Sequence, residues 1–138
     1  LALTITPHSS SNKIIVSLSI SICGDFYTSY ARILRQVSGQ SDVELFQGTG
    51  AGVRPTAAVC TTGDNGIQDS HGQIFLVHRQ FVDEPGTTSQ ITYQVQAQGR
   101  PDNSQNGATK INYSTPDRNT NSYDARMASE LMVMEISG

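Results

Sequence analysis

One loop of the chain spaces oxygen-bearing side chains as a calcium-binding loop does. Asp117, Asn119 and Asn121 take the first three ligand positions of an EF-hand. The match then ends, because Ser122 replaces the required glycine and Ala128 replaces the bidentate glutamate. Solvated Asx turns are the simpler interpretation, so we expect neither a metal site nor a cofactor, although a cation site of another kind in this loop stays open.

Patterns typical of enzymes are also incomplete. The glycine-rich segment 48–52 could approach a phosphate, but Pro55 prevents the helix that follows a dinucleotide-binding loop. Ser70 and His71 are neighbours in sequence, so their side chains point apart and cannot form a triad. We therefore expect no catalytic residues and no enzyme. A glycosidase stays open as an alternative, because the separation of two carboxylates cannot be read from a sequence.

Three long polar loops occur, at 61–72, 99–107 and 114–124, and binding chemistry is richer than catalytic chemistry in the first and the last. Long loops on a rigid β scaffold often carry binding residues. Tyr123 offers a flat apolar face to a sugar ring, and Asx side chains offer hydrogen-bond donors and acceptors. The expected ligand-binding residues are Asp64, Asn65, His71, Asn119, Asn121 and Tyr123.

The composition limits the class of protein that presents these loops. The 138 residues predict one domain, 1–138. Only 15% are charged and the net charge is −3, which argues against a basic nucleic-acid-binding protein. No apolar run approaches the roughly 18 residues of a membrane-spanning segment, so we expect no membrane insertion.

Alternation of apolar and polar residues predicts the strands that position the loops. Apolar residues occupy every even position from Ile14 to Ile22, with serines between them, and a second alternating segment at 91–97 carries glutamines. Such strands belong to antiparallel sheets with one face open to water, or to another chain. We predict an all-β fold, an antiparallel β-sandwich of the jelly-roll kind, with strands at 1–6, 14–22, 30–37, 44–47, 54–60, 74–82, 91–97, 109–113 and 127–136.

Two further features complete the expectations from local pattern. The segment 74–82 is apolar on both faces, so it is either central in a sheet or at a subunit contact. Cys23 and Cys60 stand 37 positions apart, with neither CxxC nor zinc spacing, and we expect them not to form a disulfide. By parity Cys23 lies on the serine face of its strand, away from the main core.

Several stretches also resemble one known kind of domain. They are LALTITPHSSSNKIIVSLSISI at 1–22, RILRQ at 32–36, GTGAGVRPTA at 48–57, FVDEPGTTSQITYQVQAQ at 81–98 and SELMVMEIS at 129–137. In this order they resemble the β-domain at the C-terminus of tail-fibre-like and virion structural proteins, mainly those of cyanophages and other aquatic phages. The shared motifs are structural, so no catalytic residue can be transferred to this chain.

The resemblance implies a virion surface module, homotrimeric and in contact with other virion structural proteins. It would be the C-terminal module of a longer or processed protein, located on a tail fibre, an appendage or the capsid surface. The favoured function is a tail-fibre or appendage tip that adsorbs to host surface polysaccharide. The alternatives are a capsid decoration or fibre-building protein without a ligand and a glycan-degrading enzyme.

Overall fold

The computed structural model describes residues 1–24, 29–50, 52, 56–61, 74–99, 109–114 and 126–138. This part of the chain forms nine β-strands and contains no helix. It therefore has no helix that could cross a membrane. The all-β prediction is confirmed, and each predicted strand overlaps an observed one. In chain order the strands are β1 (Ala2–Ile5), β2 (Lys13–Gly24), β3 (Ser29–Val37), β4 (Val43–Leu45), β5 (Val59–Thr61), β6 (Phe75–Asp83), β7 (Ile91–Gly99), β8 (Thr109–Ile111) and β9 (Glu130–Ile136).

The strands form two antiparallel sheets that pack into a β-sandwich, as predicted. The five-stranded sheet has the order β1-β7-β3-β4, and β5 also pairs with β3. In the four-stranded sheet β2 pairs with β6 along one edge. β8 and β9 share its other edge, where β9 pairs with residues 13–19 and β8 with residues 22–24. The jelly-roll assignment stays a prediction.

The core lies between the sheets and follows directly from the period of two in β2. Its even-numbered residues from Ile14 to Ile22 are at most 1% exposed, which confirms the predicted inward face. The opposite sheet contributes inward side chains from β3 and β7, including Ile33, Tyr93 and Val95. Burial of apolar side chains from both sheets is the main stabilising term of such a fold.

Side chains bridge the junction between β8 and β9 along the shared edge of β2. The Ser21 amide donates to Ser129 Oγ at 2.9 Å, and the Asn112 amide donates to the Ser21 carbonyl at 3.0 Å. Ser129 Oγ in turn donates to the Asn112 side chain. Asn112 has a φ of 70°, in the left-handed region that asparagine tolerates. The pairing of β2 therefore continues across the interval between its two partner strands.

The two cysteines form no disulfide, as expected from the sequence, but they differ in burial. Cys23 lies on the serine face of β2, outside the main core cluster, but only 1% of it is exposed. Cys60 is a free, exposed thiol on β5, so there is no Cys23–Cys60 disulfide.

A buried polar cluster joins the two sheets at one end of the sandwich. Asp83, at the end of β6, accepts a 2.6 Å hydrogen bond from Arg35 Nη1 and a 2.7 Å hydrogen bond from the Tyr93 hydroxyl. Arg35 and Tyr93 face each other across β3 and β7, whereas β6 belongs to the other sheet. Burial and the hydrogen bond to Asp83 raise the pKa of Tyr93 far above its usual range, so the phenol remains a proton donor.

The predicted two-sided apolar strand, β6, is an end strand of its sheet as far as the described residues show. Its inward Phe81 ring stacks on Phe46, the residue that follows β4 of the opposite sheet, with ring centroids 5.1 Å apart. Its outward Leu76 and Val82 are more than half exposed. Among the described strands β6 is therefore not central, and a subunit contact stays a prediction.

A second polar cluster holds β9 to the turn between β1 and β2. Glu135 accepts hydrogen bonds from the His8 amide and from Asn12 Nδ2, both at 2.7 Å, and its other oxygen lies 2.7 Å from His8 Nδ1. The hydrogen bonds from His8 and Asn12 lower the pKa of Glu135 to about 2. The hydrogen bond to Glu135 and its negative charge raise the pKa of His8. The pair therefore carries opposite charges at mildly acidic pH.

Replacing Arg35 with methionine leaves the buried Asp83 carboxylate without its counter-charge, with only the Tyr93 hydroxyl as a hydrogen-bond donor from this cluster. We expect the free energy of unfolding to fall by about 3–5 kcal/mol, the usual effect of leaving a buried charge unpaired. Lys13→Met is the matched control, because the Lys13–Glu84 ion pair has a similar N–O distance of 2.7 Å but is solvent-exposed. This control should leave the urea midpoint nearly unchanged. Equal losses in the two variants would contradict the prediction.

The His8–Glu135 pair should stabilise the fold most between about pH 4.5 and 6.5. Because the pKa of Glu135 is lower in the folded state, Glu135 contributes to the free energy of unfolding. This contribution is complete above the unfolded-state pKa of 4.5 and is lost as pH falls towards 2. The raised pKa of His8 gives a contribution that is complete below 6.5 and is lost as pH rises through the folded-state value. His8→Ala should therefore lower the free energy of unfolding more at pH 5.5 than at pH 8.5. A loss independent of pH in urea unfolding would contradict this.

Candidate functional site

The six residues predicted to bind a ligand all lie outside the described residues. They are Asp64, Asn65, His71, Asn119, Asn121 and Tyr123. The loop hypothesis therefore stays a prediction. Within the described ranges, no group of three or more His, Cys, Asp or Glu side chains could hold a metal ion.

A different set of polar residues lies on the outer face of the five-stranded sheet. Because Ile91, Tyr93 and Val95 of β7 point into the core, the alternating glutamines of the same strand point outward. The strand pairing places Gln96 opposite Arg32 of β3. It also places Glu44 of β4 beside β3 on the same face. Three strands thus bring an amide, a guanidinium and a carboxylate together.

These side chains line a concavity of about 410 Å³, which we call the Arg32 groove. Its size is within the range of small-ligand pockets. Segment 56–57, just before β5, forms part of its wall. The side chains that define it are Tyr30, Arg32, Glu44, Thr56, Gln96 and Gln98.

Hydrogen bonds among the lining residues hold the polar groups of the groove in place. Arg32 donates from Nε and Nη2 to Gln96 Oε1 at 2.9 and 2.7 Å, and Gln96 donates onward to Gln94 at 2.9 Å. Arg32 Nη1 lies 3.7 Å from Glu44 Oε2, and Thr56 Oγ1 donates to Glu44 Oε1 at 3.4 Å. Groups that are already oriented lose less conformational entropy when a ligand binds.

The groove keeps part of this chemistry accessible. The Arg32 side chain is 50% exposed and that of Glu44 is 20% exposed. A ligand can therefore meet a donor that carries a positive charge and an acceptor that carries a negative charge, beside the Tyr30 ring. Cys60 lies opposite Tyr30 on the same outer face, and desolvation raises the pKa of its thiol. The thiol accordingly stays protonated near neutral pH.

Only part of the groove had a signal in the sequence. The glutamine alternation in β7 was visible, and it indicated a strand face suited to packing against another chain. The partnership of Arg32 with Gln96 was not visible, because these residues are 64 positions apart. Thr56 meets Glu44 because β4 and β5, which Thr56 precedes, both pair with β3, and this pairing is not visible in the local sequence.

Comparison with known proteins adds no relative. No family model, no curated protein and no solved structure matches the chain.

Proposed function

We propose that this chain is a phage virion surface module, the tip of a tail fibre or appendage, which adsorbs to host surface glycans. The observation that carries the proposal is the Arg32 groove, in which an aromatic ring lies beside fixed hydrogen-bonding side chains. The sequence motifs that resemble virion β-domains supply the biological setting. Glycan binding through the groove is the part that the geometry supports best.

The chemistry of a sugar fits the lining of the groove. Each sugar ring presents hydroxyl groups that both donate and accept hydrogen bonds, and it also has an apolar C–H face. Glu44 can accept from hydroxyls and Arg32 can donate to them, while Tyr30 offers an apolar surface. The loop residues predicted from the sequence, such as Asn119 and Tyr123, remain a separate candidate surface for the same ligand.

The opposite outer face supports a role in assembly. A cross-strand row in the four-stranded sheet aligns Val82, Ile15 and Met134. Val82 and Met134 are 53% and 47% exposed, and Leu76 on the same face is 58% exposed. We place three such faces towards a three-fold axis, so that each groove points outward. Three grooves on one particle would bind a repetitive polysaccharide more strongly than one.

A purely structural module is the second candidate. The same apolar row of Val82, Ile15 and Met134 favours it, because capsid decoration and fibre building also need contacts between chains. The two candidates share the assembly and differ in whether the outward groove binds anything. Glycan binding by the intact assembly separates them.

Tyr30→Ala should weaken glycan adsorption by about tenfold or more, because an aromatic side chain at the centre of a contact contributes strongly. Thr4→Ala is the matched control, since Thr4 is an exposed residue of β1 on the same outer face but outside the groove lining. Binding is measured on immobilised polysaccharides and on bacterial cells.

Three other outcomes of that experiment have definite meanings. Loss of binding only when Asn119, Asn121 and Tyr123 are changed to alanine would move the site to the loop. No binding by the parent protein would favour the structural candidate. Release of reducing ends from the polysaccharide would favour the enzyme.

Light scattering should give a mass of three times 14.9 kDa for the parent chain. Met134→Glu should dissociate this assembly, because it places a charge within the apolar row. Thr4→Glu puts the same charge on the opposite face and should leave the mass unchanged. A monodisperse parent monomer at micromolar concentration would remove the assembly proposal.

A further inference from the structure

The charges of the Arg32 groove compensate each other. Arg32 and Glu44 are the cation and the anion among its lining residues, all of which belong to the described part of the chain. Their closest N–O distance is 3.7 Å. The whole chain has a net charge of −3, so no wider positive field compensates for a weak local attraction to anions.

We propose that the groove selects uncharged glycans over anionic ones and that Glu44 determines this selectivity. The proposal rests on the glycan-binding function proposed above and specifies its ligand class. Neutral hydroxyl-rich sugars are the expected ligands. Polymers that carry carboxylate or sulfate groups are the ligands that the groove rejects.

The arrangement of Arg32 explains why an anionic ligand would gain little affinity from it. Two of its nitrogens, Nε and Nη2, already donate to Gln96 Oε1, so a bidentate contact through that edge would have to displace the glutamine. The remaining nitrogen, Nη1, lies near the Glu44 carboxylate, which would repel an incoming anion. An anion that approaches Arg32 therefore always meets Gln96 or Glu44 as well.

The arrangement of Glu44 explains why a sugar hydroxyl binds in the groove more strongly than an anionic group does. The carboxylate is only 20% exposed, and Thr56 Oγ1 holds one of its oxygens. An ionised carboxylate only accepts hydrogen bonds, so its natural ligand group is a donor such as a sugar hydroxyl. A ligand carboxylate has no proton to donate at neutral pH, and placing it here would bring like charges together.

The test is the relative affinity of the native assembly for neutral and anionic polysaccharides, with dextran and laminarin against alginate and chondroitin sulfate. The parent protein should prefer the neutral polymers. Glu44→Gln keeps the size of the side chain and an acceptor for Thr56, but it leaves Arg32 without its counter-charge. We expect this variant to shift the preference towards the anionic polymers by about tenfold, and the shift should shrink in high salt.

Asp42→Asn is the matched control for the change in net charge. Asp42 lies just before β4, accepts a hydrogen bond from Gln36 and is not among the residues that line the groove. Like Glu44→Gln, the Asp42→Asn substitution removes one negative charge at or beside β4. The preference of this variant should equal that of the parent, and both variants are checked for an unchanged melting temperature.

The remaining outcomes overturn distinct claims. One outcome is that the parent protein binds alginate as well as dextran and that Tyr30→Ala loses binding to both. That result overturns the selectivity but leaves glycan binding in place. An equal shift in Glu44→Gln and Asp42→Asn, or no shift in either, overturns the role of Glu44. A parent protein that binds neither class overturns the proposed function itself.

Discussion

The buried carboxylate of Asp83 is the constraint on which the two sheets depend for their relative position. It must have partners, because a buried charge without them is strongly destabilising. Arg35 and Tyr93 provide those partners from the opposite sheet. The same register of β3 on β7 that pairs Arg35 with Tyr93 also pairs Arg32 with Gln96. A slip of one residue would turn each of these side chains to the wrong face. The inner cluster and the outer groove therefore both require the same register of β3 on β7.

The two outer faces of the sandwich have different chemistry, although both belong to strands with a buried inner face. On one side, glutamine, arginine and glutamate form hydrogen bonds with one another and leave a concave polar surface. On the other side, Val82, Ile15 and Met134 form an apolar row across three strands. An apolar row is stabilised when another chain covers it, whereas a polar groove gains from a polar ligand. The division is consistent with one face for assembly and one for recognition.

Local pattern was sufficient for the strands but not for the Arg35–Asp83 pair or the Arg32 groove. The alternation in β2 and β7 follows from a period of two, which is a property of neighbouring residues, and it correctly predicted the inward faces. The position of β6 at the end of its sheet among the described strands, by contrast, depends on pairing over long sequence distances. The same is true of the Arg35–Asp83 pair and of the groove, whose members are dispersed over β3, β4 and β7. A polar side chain within a strand looks the same in sequence whether it is solvated or meets a distant partner.

Weak, uncharged recognition is well suited to a multivalent particle. A neutral sugar offers hydrogen bonds and an apolar face but no Coulombic attraction, so each groove is expected to bind it weakly. If several grooves engage one repetitive polymer, their free energies of binding add apart from the cost of linkage, and the overall affinity rises steeply. In the proposed trimer discrimination would rise in the same way, because the proposed penalty from Glu44 would count once for every groove engaged. On the proposed function, a modest electrostatic preference at one groove would become a sharp preference of the whole assembly between neutral and anionic surfaces.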